Sequence, residues 1–240
     1  AMAWVNNHIS GAPRPSAPIR RHLAHMGAPD DAYDALVSSG DATRAVLLSG
    51  VYGKRIHIVG PERDSEIREG VPIEHVPLES ADAILCTGLF DDETETPEDY
   101  TTTLRGFLRR NLVMLCANPD LKVERGDRIV YCAGAIAQVY EQMGGEVVYS
   151  GKPHLPIYDL AFSMISDGVG HDVSKERILA IGDGLLTDIA GASAANLRSL
   201  FIASGIHMPR GSTFNQATVA EVFDGYGHTM PIAAMRALEW

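Results

Sequence analysis

The stretch Arg177-Ile-Leu-Ala-Ile-Gly-Asp183-Gly-Leu-Leu-Thr-Asp188-Ile-Ala-Gly-Ala192 decides how the whole chain is read. Ile178 to Ile181 form an unbroken apolar run, the pattern of a strand covered on both faces in a parallel sheet. The run delivers Gly182 and Asp183 at its carboxyl end, and a second carboxylate, Asp188, follows as a helical pattern begins. In open parallel sheets the ligand crevice lies at the carboxyl ends of the strands. Two carboxylates placed there can hold a hard divalent cation through oxygen, and magnesium fits that donor set best. Taken singly, Asp183 is a turn residue and Asp188 a first-turn helix acid; their spacing after an apolar strand carries the functional reading.

Working outward, short apolar runs alternate with helical patterns almost throughout, the signature of βαβ units. The expected strands are Asp34–Val37, Arg55–Val59, Ala81–Cys86, Leu112–Cys116, Arg128–Tyr131, Glu146–Tyr149, Arg177–Ile181 and Ser199–Ala203. Helices are expected at Ser16–Met26, Asp41–Ser49, Pro97–Arg110, Ala133–Met143, Leu155–Ile165 and Leu186–Ala195, with Gly27 and Gly144-Gly145 marking helix exits. The acidic stretch Asp91-Asp92-Glu93-Thr94-Glu95 reads as a solvated loop before a helix N-terminus that favours negative charge.

Composition removes whole classes of function. The 240 residues carry 20 Lys and Arg against 31 Asp and Glu, a net charge of −11 that repels nucleic-acid backbones and anionic membrane surfaces. Apolar stretches are broken by Gly, Arg or Asp far short of a membrane span. Cys86, Cys116 and Cys132 each sit in an apolar or small-residue run, without CxxC or zinc spacing, and read as buried thiols in a reducing compartment. With no signal-peptide pattern, a cytoplasmic location is expected, and Ala1-Met2-Ala3 reads as an expression remnant. No strand is followed by the Gly-x-Gly-x-x-Gly turn of a dinucleotide site.

Two further segments could carry chemistry. In Gly151-Lys152-Pro153, after an apolar strand, the lysine offers a compact positive charge to a phosphate or to a carboxylate beneath it. In Ile9-Ser10-Gly11-Ala12-Pro13-Arg14-Pro15, a small-residue turn with a hydroxyl offers backbone N–H groups to an anion, or Ser10 is an ordinary cap.

Together, in this order, the three segments resemble the haloacid-dehalogenase-like (HAD) phosphohydrolases, most closely the class IIA members with a C2-type cap, such as nucleotide and p-nitrophenyl phosphatases. Ser10 matches the family's second motif, Lys152 its third, and Asp183 with Asp188 its fourth. Leu36–Arg44, Cys116–Asp120 and Cys132–Ile136 extend the likeness over nearly the whole chain. The resemblance implies a Rossmann-like α/β core with a mainly parallel sheet at residues 1–45 and 146–240, and an inserted α/β cap at 46–145. It implies a magnesium-dependent phosphatase for a small phosphorylated metabolite, working through an aspartyl-phosphate. Ser10, Lys152, Asp183 and Asp188 would be catalytic, with Asp183 on the metal. Ser10, Gly11, Asn118, Asp120 and Lys152 would bind substrate. No nucleic acid or membrane partner is expected, and a homodimer is left open.

One motif is not found. The family places an Asp-x-Asp pair, its nucleophile and its acid–base, at the end of the central strand, but none of residues 1–9 is acidic. Either residues are omitted ahead of Ser10 or other residues cover the gap, and Asp183's strand would otherwise lack its neighbour. The alternative function is therefore a catalytically impaired protein that keeps a phosphate-ligand crevice without the nucleophile.

Overall fold

The structure is a computed structural model describing residues 7–10, 13–29, 31–125, 128–203, 213–227 and 230–237. It divides into two units, Ala1–Gly151 and Lys152–Trp240. In the first unit the chain runs β1 (Asn7–Ser10), α1 (Ser16–His25), β2 (Ala35–Ser38), α2 (Ser39–Ser49), β3 (Arg55–Val59), β4 (Glu74–His75) and β5 (Ala83–Cys86). It continues through α3 (Thr101–Arg109), β6 (Val113–Cys116), β7 (Lys122–Arg125), β8 (Arg128–Tyr131), α4 (Ala133–Gln142) and β9 (Val147–Tyr149). The second unit holds α5 (Leu155–Val169), β10 (Leu179–Gly182), α6 (Ala190–Ala194), β11 (Arg198–Ile202), α7 (Gln216–Phe223) and β12 (Ala233–Met235).

The first unit is organised by a five-stranded, all-parallel sheet in the order β4-β3-β5-β6-β9. Because side chains alternate along a strand, β5 sends Ile84 and Cys86 to one face and Ala83 and Leu85 to the other. On the first face they meet Leu104 and Phe107 of α3 and Ile136 and Tyr140 of α4. There the Phe107 and Tyr140 rings pack edge to face at 6.1 Å, and the Tyr140 hydroxyl donates to the Leu112 carbonyl at 2.7 Å. The opposite face meets Leu47 of α2 and Ile67 of a 3-10 turn at Glu62–Arg68. A sheet covered on both faces explains why its strands are continuous apolar runs.

The second unit has a three-stranded parallel sheet in the order β10-β11-β12. Phe201 of β11 packs against Phe223 of α7 with ring centroids 5.1 Å apart, joined by Leu185, Ile189 and Val219. Among the described residues β10 has a neighbour on one side only, and Leu179 and Ile181 are 43% and 49% exposed.

All eight expected strands and all six expected helices are present, with ends shifted by a few residues. Gly27 and Gly144 end their helices at positive φ, and all three cysteines are buried and outside any disulfide. The expectation missed β1, β4, β7, β12 and α7. The helix expected at Pro97 begins as a 3-10 turn, and the one expected at Leu186 begins as a π turn over Leu185–Ile189.

Candidate active-site elements

In the Lys152–Trp240 unit, Lys152 and Asp188 meet: Lys152 Nζ donates to Asp188 Oδ1 at 2.6 Å, with both side chains about one-fifth exposed. The second oxygen, Oδ2, accepts the Gly184 backbone N–H at 3.0 Å. The π turn makes this possible, because the Ile189 N–H reaches back to the Gly184 carbonyl at 3.0 Å and widens the coil under Asp188. Gly182 is required by the same packing: a Cβ there would lie 2.4 Å from the Asp188 Cβ and Cγ atoms. Tyr158, absent from the sequence reading, is buried on α5, and its hydroxyl occupies the place a side chain at Gly191 would take. Burial, and secondarily the nearby Asp188 carboxylate, pushes its phenol well above the usual tyrosine range.

Asp183 stands exposed at the end of β10. Among the described residues no group of three or more His, Cys, Asp or Glu is placed to hold a metal ion. Among the described residues there is therefore no all-protein cage at Asp183. One accessible carboxylate, in the same unit as a fixed ammonium, does suit magnesium, which keeps several waters and takes one or two carboxylates together with phosphate oxygens.

In the Ala1–Gly151 unit, Ser10 ends β1 in register with Ser38 of β2, and Gly11 lies outside the described residues. The turn after it is clamped to the start of α2. Ser38 Oγ donates to the Arg14 carbonyl at 2.6 Å, and the Ser16 N–H donates to the Asp41 carboxylate at 3.0 Å. Asp41 also completes a capping box with Ser38. Asn118 and Asp120 follow β6 in an Asx-type turn, the Asp120 N–H donating to Asn118 Oδ1 at 3.1 Å. The same unit carries Gly151, where a Cβ would lie 2.2 Å from Ser39 Oγ and 2.6 Å from Pro119, so the residue before Lys152 has room for no side chain.

A cavity of about 490 Å³ opens in this unit at the carboxyl ends of β3, β5 and β6, with Asn118 and Asp120 in its wall. Its most buried charges escaped the sequence reading. Arg63 Nη2 donates to Asp92 Oδ2 at 2.5 Å, and Asp64 lies beneath Arg14 and Thr87. Burial raises the Asp64 carboxyl above the usual carboxylate range, against the pull of Arg63 and Arg14. Asp92 corrects the view of residues 91–95 as solvated: its side chain is 7% exposed because Arg63 draws it inward. Its neighbours behave as expected, with Asp91 accepting from the Glu93 N–H and Glu95 from the Tyr100 hydroxyl.

These elements can be set against known proteins. A haloacid-dehalogenase-like hydrolase from Brucella suis 1330 is 40% identical over 97% of this chain and 83% of its own, with a TM-score of 0.81. The chain belongs to the haloacid dehalogenase-like family. The model of HAD-hydrolase-like proteins matches residues 149–226, which include Lys152, Asp183 and Asp188. The p-nitrophenyl phosphatase of Archaeoglobus fulgidus, 20% identical over 95% of this chain and 82% of its own, shares the fold with a TM-score of 0.70. So does the glycerol phosphate phosphatase of Mycobacterium tuberculosis, solved with calcium, at 22% identity, 82% and 56% coverage and a TM-score of 0.61. The fold is thus that of the class IIA, p-nitrophenylphosphatase-like members. A search of curated proteins returned no match. No helix among the described residues is long and apolar enough to cross a membrane.

Proposed function

We propose that this HAD-like hydrolase is a magnesium-dependent phosphatase of small phosphorylated metabolites, with a core at residues 1–45 and 146–240 and a cap at 46–145. The observation that carries the reading is the 2.6 Å pair between Lys152 and Asp188, one βα unit from the exposed Asp183. Lys152 neutralises charge on the bound phosphoryl group, and Asp188 holds the ammonium in place. Asp183 is the residue to hold magnesium, which when bound supplies Lewis-acid neutralisation of phosphoryl oxygens. The resemblance gives Ser10 a part in binding the phosphate. Nucleophilic attack in the family belongs to an Asp-x-Asp pair that residues 1–9 do not contain, so Lys152, Asp183 and Asp188 supply binding, neutralisation and positioning.

The test is release of phosphate from p-nitrophenyl phosphate and from a panel of sugar, polyol and nucleotide monophosphates, with and without magnesium. Magnesium-dependent turnover that Lys152→Met abolishes supports the reading. Thermal stabilisation by inorganic phosphate without turnover of any ester identifies the alternative, a phosphate-binding protein.

A further inference from the structure

The chain contains three Asp-Gly bonds, Asp167-Gly168, Asp183-Gly184 and Asp224-Gly225. This dipeptide is chemically fragile. The glycine nitrogen can lose its proton and attack the aspartyl Cγ, forming an N–C bond and expelling water to leave a five-membered succinimide. Water then opens the ring at one of its two carbonyls. One opening restores aspartate; the other breaks the bond from nitrogen to the old backbone carbonyl and leaves isoaspartate, in which the main chain runs through Cβ. The water lost is regained, and nothing is oxidised or reduced. Glycine favours the reaction because no Cβ obstructs the approach of its nitrogen.

Asp167, Asp183 and Asp224 are all exposed, so access to solvent does not distinguish the three bonds. The partner of the glycine N–H does. Ring closure swings that nitrogen onto the side chain, so any hydrogen bond it makes has to break first. Gly168 lies inside α5, where its N–H belongs to the helical ladder. The Gly184 N–H donates to Asp188 Oδ2 at 3.0 Å, and the Gly184 carbonyl accepts the Ile189 N–H at 3.0 Å, so the residue is held on both sides. Asp188 is itself pinned by Lys152 at 2.6 Å. Asp224-Gly225 follows the last turn of α7, and among the described residues the Gly225 N–H has no acceptor. A bond from the Tyr226 N–H to the Phe223 carbonyl at 3.2 Å closes this turn, and residues 224–227 are all exposed. A segment of that kind opens locally at little cost.

We propose that Asp224-Gly225 is a site of spontaneous isoaspartate formation, and that Asp188, by holding the Gly184 N–H, shields Asp183-Gly184 from the same reaction. Neither half depends on phosphatase activity, although the shielded bond is the one that carries the carboxylate assigned above to magnesium.

Ageing the full chain at neutral pH and physiological temperature tests it. Isoaspartyl carboxylates are methylated by an isoaspartyl methyltransferase and located by peptide mass spectrometry. Label should accumulate at residue 224 roughly tenfold faster than at 183, the worth of a hydrogen bond to a charged group, and more slowly still at 167. Asp224→Glu should lose the label, because closure then needs a six-membered ring. In urea the three positions should label at similar rates. In Asp188→Ala the rate at 183 should rise toward that at 224, whereas Asp188→Asn keeps an oxygen that accepts from Gly184 and should stay near the parent. Melting curves check that the variants fold. No label at 224, equal rates at 183 and 224 in the folded parent, or an unchanged rate at 183 in folded Asp188→Ala would overturn the proposal. Should Asp188→Ala not fold, the parent decides: the same rate at 183 in the folded and the urea-unfolded chain overturns the shielding, and a slower rate in the folded chain upholds it.

Discussion

Strands β5 and β10 are written in the same style, four small or apolar residues leading into a glycine-bearing loop, yet they end in different surroundings. All four residues of β5 are buried, whereas Leu179 and Ile181 of β10 stand 43% and 49% exposed. β5 is flanked by β3 and β6 and covered by helices on both faces. Among the described residues β10 pairs with β11 alone, and the side chains in step with Leu179 and Ile181 are Arg198 and Leu200 rather than the buried Phe201. An apolar run therefore states what a strand requires, and neighbours decide whether it receives it. The carboxylates that follow β10 stand on a more open platform than the loops that follow β5.

The largest expected effect tests that contrast directly. Leu85→Ala, in the middle of β5, should destabilise the protein by about 2–5 kcal/mol, since a filled site on a covered face becomes a cavity. Ile181→Ala, with half its surface already in water, should cost less than about 1 kcal/mol. Urea unfolding monitored by circular dichroism measures both. Comparable losses would mean that β10 is covered in solution and that the difference between the strands disappears.

Next in size is Lys152→Met. Removal of a fixed ammonium from a phosphoryl site should lower turnover by about 10²–10³-fold. It should also destabilise by about 1–3 kcal/mol, because Asp188 is left partly buried without its partner. Adding Asp188→Asn should return part of that stability and none of the turnover. Additive losses in the double variant would show that the two residues do not act as a pair.

Much of this was legible in the chain, and the failures have particular causes. Apolar runs such as Ile84–Cys86 and Val113–Cys116 identify a parallel sheet because burial on both faces demands them. Lys122-Val-Glu-Arg125 carries three charges in four residues and favours no strand by itself; it is extended because β8 pairs with it. Lys152 and Asp188 could both be singled out, but their pairing depends on a π turn, and no residue pattern announces one. Asp92 was misjudged for the opposite reason. Four acidic neighbours suggest a solvated loop, and only a distant arginine, Arg63, turns one of them inward.

A smaller effect is expected at Asp183. Asp183→Asn preserves side-chain size and removes a charge, so the magnesium response of the melting temperature should shrink while the fold persists. Without magnesium the variant should be equal to or slightly more stable than the parent, because a carboxylate near Asp188 has been neutralised. A capping role would reverse the pattern, with stability falling and magnesium making no difference to either protein. Melting curves for both, with and without millimolar magnesium, decide it.

The smallest expected effect is a pH dependence from the other unit, where Asp64 is the buried acid that β10's open end lacks. Its carboxyl is held above the ordinary carboxylate range by burial, with Arg63 and Arg14 opposing the shift. The folded protein therefore binds this proton more tightly than the unfolded chain does. The stabilisation is fully present below the unfolded carboxylate value and is lost as pH rises through the raised folded one. Asp64→Asn cannot titrate. Relative to the parent, the variant should thus gain in urea midpoint as pH rises above the unfolded carboxylate value of about 4, and level off once the parent's carboxylate is ionised in both states. If the midpoint difference for Asp64→Asn is flat with pH, or runs the other way, the arginines outweigh burial and the carboxylate is a stabilised anion.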